Sequence, residues 1–229
     1  MSNDAPHDDF SDDLQTEGIG YTEVDWDQLD QAEADLHDEI IGMELEQARA
    51  LKLGTLTDLQ RWAVAQVYAD NDDFEGFERI CRELLGGSVE HPALDYGAIG
   101  TELVHDLLVE ERFDDARALL PRVAELCADD GLTERRFTAI LEVVDGDEDR
   151  GIELFDALIE VAGTDSYLLF DIATDLANCG LFEAAVETFD QVRQLALDDA
   201  DSELVEFVDV HTAQLREIIE ELDDDEDEA

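Results

Sequence analysis

An apolar pattern that returns at intervals of 34 to 39 residues constrains this chain more than any other feature. The clearest copy runs from Ser166 to Asp199, with small or apolar residues at Leu169, Ile172, Ala173, Leu176, Gly180, Phe182, Ala185 and Phe189. Steps of three and four residues on either side of Gly180 describe two helices joined by a tight turn. One such hairpin cannot bury its apolar surface alone, so copies must stack into a continuous core. A second copy starts near Gly97, with Val104, Leu107, Phe113, Ala116, Leu120 and Val123 in register and Glu111 in place of the turn glycine. A third starts near Leu132, with Ala139, Gly146, Gly151 and Phe155. A fourth starts near Asp58, with Ala65, Tyr68 and Phe74, but Phe77 stands where the small crossing residue belongs.

The Ser166 copy resembles a tetratricopeptide repeat. Ala173 and Ala185 sit where that family's two helices cross closely, Gly180 ends the first helix, and Phe182 and Phe189 fill the groove to the next unit. The resemblance implies an all-α fold: a right-handed α-solenoid of about four helical hairpins with N- and C-terminal capping helices. It also implies a non-catalytic protein–protein interaction scaffold or adaptor that holds a partner segment in a concave groove. In that family the first helix of each unit lines the groove, mainly at five positions. Mapped onto this chain, they are Leu59, Trp62, Gln66, Ala69 and Asp70 in the first unit and Ala98, Thr101, His105, Leu108 and Val109 in the second. The third gives Thr133, Arg136, Ile140, Val143 and Val144, and the fourth Tyr167, Phe170, Thr174, Ala177 and Asn178. Asp70 is the only acid among them, although 64 of the 229 residues are acidic. Trp62, His105, Arg136, Tyr167, Phe170 and Asn178 are the candidate partner-binding residues, with Trp62, Tyr167 and Phe170 as aromatic anchors. The strip has no Lys and only Asn178 as Asn, so it suits an apolar or mixed protein or peptide segment better than an acidic chaperone tail.

Charge is the second constraint. Sixty-four acidic and 13 basic residues give a net charge of −51, and Lys52 is the only lysine. Such self-repulsion opposes compaction in dilute buffer. Concentrated salt mutes it, because the Debye length falls to about 3 Å at about 1 M. The lysine-poor acidic surface resembles cytosolic proteins of salt-accumulating halophiles, which points to a halophilic archaeon. Mimicry of nucleic acid would concentrate the acids on one face, whereas here they occur in every turn. Direct nucleic-acid binding is disfavoured, since phosphates attract basic surfaces. Hydrophobic residues make up 45% of the chain, enough for a core. No apolar run reaches membrane-spanning length. Met1 to Phe10 carries no leader-like apolar stretch, so a cytoplasmic location is expected. Cys81, Cys127 and Cys179 are widely spaced and read as small buried residues.

Four segments follow. Residues 1–24 are an acidic stretch expected to be disordered. Residues 25–54 form an N-terminal helix with Leu29, Leu36, Met43 and Ala50 seven residues apart and Ala32 and Ile40 beside them. This helix caps the first repeat or, through its seven-residue stripe, pairs two copies into a homodimer. Residues 55–222 are the helical repeat domain, opened by a capping box of Thr57 and Gln60. Residues 223–229 are an acidic tail expected to be disordered.

No catalytic, cofactor-binding or metal-ligating constellation emerges from the spacing. The five histidines lie in different segments. Asp145, Asp147, Asp149, Glu153 and Asp156 approach a calcium loop, but Arg150 replaces the turn glycine and the last two fall in a helix. Two rival functions stand beside the scaffold. One is a metal-dependent enzyme or enzyme subunit, and the other a chaperone or decoy for a basic protein that works through its acidic tails.

Overall fold

The computed structural model describes residues 31–87, 91–129 and 131–227, with side chains from 32 to 222 within those spans. The expected disorder of 1–24 and the start of the N-terminal helix lie outside the described residues, as do 228 and 229. Among the described residues there are eleven α-helices and no strand. They are α1 (Gln31–Ile41), α2 (Leu45–Arg49), α3 (Asp58–Ala69), α4 (Phe74–Leu85), α5 (Tyr96–Val109) and α6 (Phe113–Leu126). The remainder are α7 (Leu132–Asp145), α8 (Glu148–Ala162), α9 (Ser166–Asn178), α10 (Phe182–Asp198) and α11 (Ser202–Asp227). No described helix is long and apolar enough to cross a membrane. The chain divides into two compact units, with the boundary after Ile99 inside α5.

In unit 1, α3 and α4 form a hairpin, and α1 and α2 pack on α3. The capping box is present: Gln60 N–H donates to Thr57 Oγ1 at 3.4 Å, and Thr57 N–H donates to Gln60 Oε1 at 3.1 Å. Two expectations are corrected here. The helix expected over 25–54 breaks at Gly42–Met43, and α2 restarts with Glu44 and Gln47 as a reciprocal cap. The break interrupts the seven-residue stripe, and Leu36, Ala32 and Ala50 are exposed while His37, Ile40 and Ala48 are buried. The small residue at the α3–α4 crossing is Gly76, one place before Phe77. A Cβ on Gly76 would lie 2.8 Å from Tyr68 Cγ. That room lets Phe77 enter the core, its ring 6.2 Å from that of Trp62.

Unit 2 is a stack of hairpins. α7 packs on α8 and α9 on α10, while α6 reaches α7, α8 reaches α9, α10 reaches α11, and α7 also touches α9. Gly100 of α5 lies against Val123 of α6, where a Cβ would come within 3.5 Å of the valine Cβ. One apolar cluster runs from Ala139 through Phe155, Ala173, Ala185 and Phe189 to Leu215. Ala173 and Ala185 are both fully buried, as close crossing requires. At the α7–α8 crossing Gly151 has the same duty: a Cβ there would lie 2.8 Å from Val143 N and 3.1 Å from Ala139 O.

The acidic tail also differs from expectation, since the α11 backbone is helical through Asp227. A helix already nucleated on a packed face propagates with one added hydrogen bond per residue. The calcium-like segment is a turn and a helix start. Asp147 caps α8, accepting from Arg150 N–H at 3.3 Å, and Asp149, Glu153 and Asp156 are helical.

Candidate interaction face on the first helices of unit 2

The first helices of the unit 2 hairpins are the part of α5 from Gly100, then α7 and α9, and α11 follows as the next helix in the same series. Along them, Thr101, His105, Leu108, Thr133, Arg136, Ile140, Val143, Phe170 and Thr174 are partly exposed. Asn178 is exposed, and so are Val109 at 63%, Val144 at 41% and Tyr167 at 65%. Only Ala177 of the unit 2 strip is buried. The acid-free strip read from the sequence is therefore solvent-facing in this unit, and its single charge is a cation.

Arg136 is held from the neighbouring helix. Its Nε donates to Asp175 Oδ2 at 2.7 Å and its Nη1 to Asp171 Oδ2 at 2.9 Å. Burial works to lower the guanidinium pKa, but the two carboxylates outweigh it and the net shift is upward. Asp175 is 9% exposed, and burial raises its carboxyl above the usual range even with Arg136 beside it. On α5, burial and then the Asp106 charge push Glu102 up to about 7, against the opposing influence of His105. Glu102 Oε2 is buried without a hydrogen-bond partner. His105 of α5 also acts electrostatically on Asp175, the least of the influences on that carboxyl. Cys179 borders it, its thiol pushed up to about 12 by burial and by Asp175. A thiol so far above neutrality is a poor nucleophile.

Phe170 begins a second cluster. Its ring lies 5.4 Å from that of Phe189, 5.7 Å from Phe207 and 5.7 Å from His211. His211 stacks on Phe207 at 4.8 Å and 29°. Its Nδ1 lies 3.0 Å from the Phe207 carbonyl, a contact that places the proton on Nδ1. Tyr167, one turn before Phe170, donates its hydroxyl to Asp201 Oδ2 at 2.8 Å. Asp201 in turn accepts from Leu204 N–H at the start of α11.

Of the six candidates, His105, Arg136, Tyr167, Phe170 and Asn178 lie on this face. Trp62 does not. It is fully buried in unit 1, so its indole is core, not an accessible anchor. Sequence reasoning missed Glu102, Asp171, Asp175 and Phe207. The signal for Asp171 and Asp175 is positional: each stands one residue past a mapped groove position and points back to the helix before. Among the described residues no three His, Cys, Asp or Glu side chains are grouped to hold a metal ion.

The fold and this face define an all-α protein of stacked helical hairpins. No known family profile matches the chain, and no curated protein matches it. Among solved structures it is similar to one described as "Crystal structure of YrrB: a TPR protein with an unusual peptide-binding site". The match has a TM-score of 0.44 and 17% identity, over 80% of this chain and 86% of that one. A likeness of that size leaves function to the chain's own residues.

Proposed function

We propose that the chain is a non-catalytic protein–protein interaction scaffold whose unit 2 holds a partner segment on the first-helix face. The observation that supports this is the partly exposed, acid-free strip from Thr101 to Asn178 on a chain with 64 acids. Elsewhere carboxylates solvate the surface. A strip whose own positions carry none of them, its Arg136 neutralised by the adjacent Asp171 and Asp175, and that offers Val109, Val144 and Tyr167 to water is suited to burial by another molecule. The partner is a protein or peptide, and neither cofactor nor metal enters the reading.

The test is a benzophenone cross-linker placed in turn at Asn178, at Val109 and at Glu187, an exposed position on α10, in the source cells. Discrete protein adducts are expected from Asn178 and Val109 and not from Glu187. The same adducts from all three positions, or none from the two strip positions, would refute the proposal.

A further inference from the structure

Phe170, Phe207 and His211 form an aromatic cluster between α9 and α11, and Tyr167, one turn before Phe170, is tied to Asp201 just before α11; Tyr167 is 65% and Phe207 39% exposed. Carboxylates surround it. Asp201 binds the Tyr167 hydroxyl, and exposed Glu203, one turn before Phe207 on α11, lies within electrostatic range of the same phenol. Arg136 on α7 is already committed to two aspartates of α9. Ring faces carry negative electrostatic potential, as carboxylates do, and both attract a cation.

Building on the proposal that this face is a partner site, we infer that the α9–α11 patch receives an arginine-bearing segment of a basic partner protein. A guanidinium can lie flat over Phe207 or Tyr167 and pair at its edge with exposed Glu203. Arginine suits this better than lysine because its planar, weakly hydrated group stacks on rings. Contact stacking of this kind is less sensitive to salt than long-range attraction. Charge excludes the other occupants. A second copy carries the same −51, and residues 1–30 of this chain hold ten acids with neither Lys nor Arg.

The experiment uses the full chain and a fluorescein-labelled peptide of Ala-Arg-Leu repeats, followed by anisotropy in about 2 M KCl to suppress non-specific attraction. Companion peptides replace Arg by citrulline, which keeps shape and loses charge, or by Glu. The Arg peptide should bind saturably, the citrulline peptide about tenfold more weakly, and the Glu peptide not at all. Tyr167→Ala and Phe207→Ala should each weaken the Arg peptide about tenfold. Circular dichroism checks that the variants fold, and exposed Tyr167 serves should Phe207→Ala fail to. Equal binding of Arg and citrulline peptides, or variants that bind like the parent, overturns the inference. Equal binding of the two peptides overturns the inference even where both are lost in Tyr167→Ala. If no peptide binds, the inference fails, and cross-linking from Asn178 and Val109 decides separately whether the face is a partner site at all.

Discussion

Glu102 shows how one buried residue can set a pH response. Its carboxyl is pushed up to about 7, first by burial and then by Asp106. An acid whose pKa is higher folded than unfolded holds more protons in the folded state between the two values. Stability therefore falls as pH rises through that window, from the ordinary carboxylate range to about 7 and just beyond. Glu102→Gln should flatten the response. Between about pH 5 and pH 8 the parent should lose on the order of 2 kcal/mol more than the variant, measured by urea melts. Parallel curves for the two proteins would assign the effect elsewhere. Trp62 teaches the complementary lesson. Its position in the repeat is one that faces a groove, yet α1 and α2 pack on α3 and the indole is buried. An aromatic side chain suits a core and a binding face equally well, so residue type could not separate the two.

At the scale of elements, the repeat is written in the turns as well as in the apolar positions. Asp72, Glu111, Gly180 and Ala200 all have positive φ, from 54° to 77°. Each sits just past a helix, and the following N–H reaches back into its last turn: Asp73 to Tyr68, Arg112 to Leu107, Leu181 to Leu176 and Asp201 to Ala196. These are four copies of one helix-ending motif, and only one uses glycine. Left-handed backbone costs an L-residue about 1 kcal/mol. Ala200→Gly should thus stabilise the protein by about 0.5–1 kcal/mol, less the greater chain entropy of glycine when unfolded. A melting temperature below that of the parent would contradict this account. The opposite change tests the crossings. Ala185 is fully buried between α9 and α10, so Ala185→Leu should overpack the hairpin and cost about 1–3 kcal/mol. A thermal melt like the parent's would place the crossing elsewhere.

For the whole molecule, charge dominates. Within each unit the few arginines are spent on linking elements: Arg49 to Asp73, Arg117 to Asp145, Arg193 to Asp209 and Arg216 to Asp190. Exposed pairs such as these contribute about 0–1 kcal/mol each. They cannot offset the repulsion of −51. The melting temperature should therefore climb steeply between about 0.1 M and about 3 M KCl as the Debye length shrinks. A flat dependence would refute the expectation that the acidic surface is an adaptation to concentrated salt.

The sequence by itself determined the helices and their pairing. Apolar steps of three and four residues on either side of Gly180 placed the α9–α10 hairpin, because a face that must be buried recurs with the helical period. Ala173 and Ala185 were legible as crossings, since only small side chains let two backbones approach. Most of the face was legible too, at His105, Arg136, Tyr167, Phe170 and Asn178. Tertiary structure alone decided the rest. It broke the N-terminal helix at Gly42 and set Ile40 rather than Leu36 against the core. It moved the small crossing residue of α4 to Gly76, enclosed Trp62, and brought Asp171 and Asp175 onto Arg136. Periodicity records which side of a helix is apolar. It does not record which neighbour covers that side, and in a chain where acids flank every helix, only packing distinguishes the carboxylate that meets an arginine from the many that meet water.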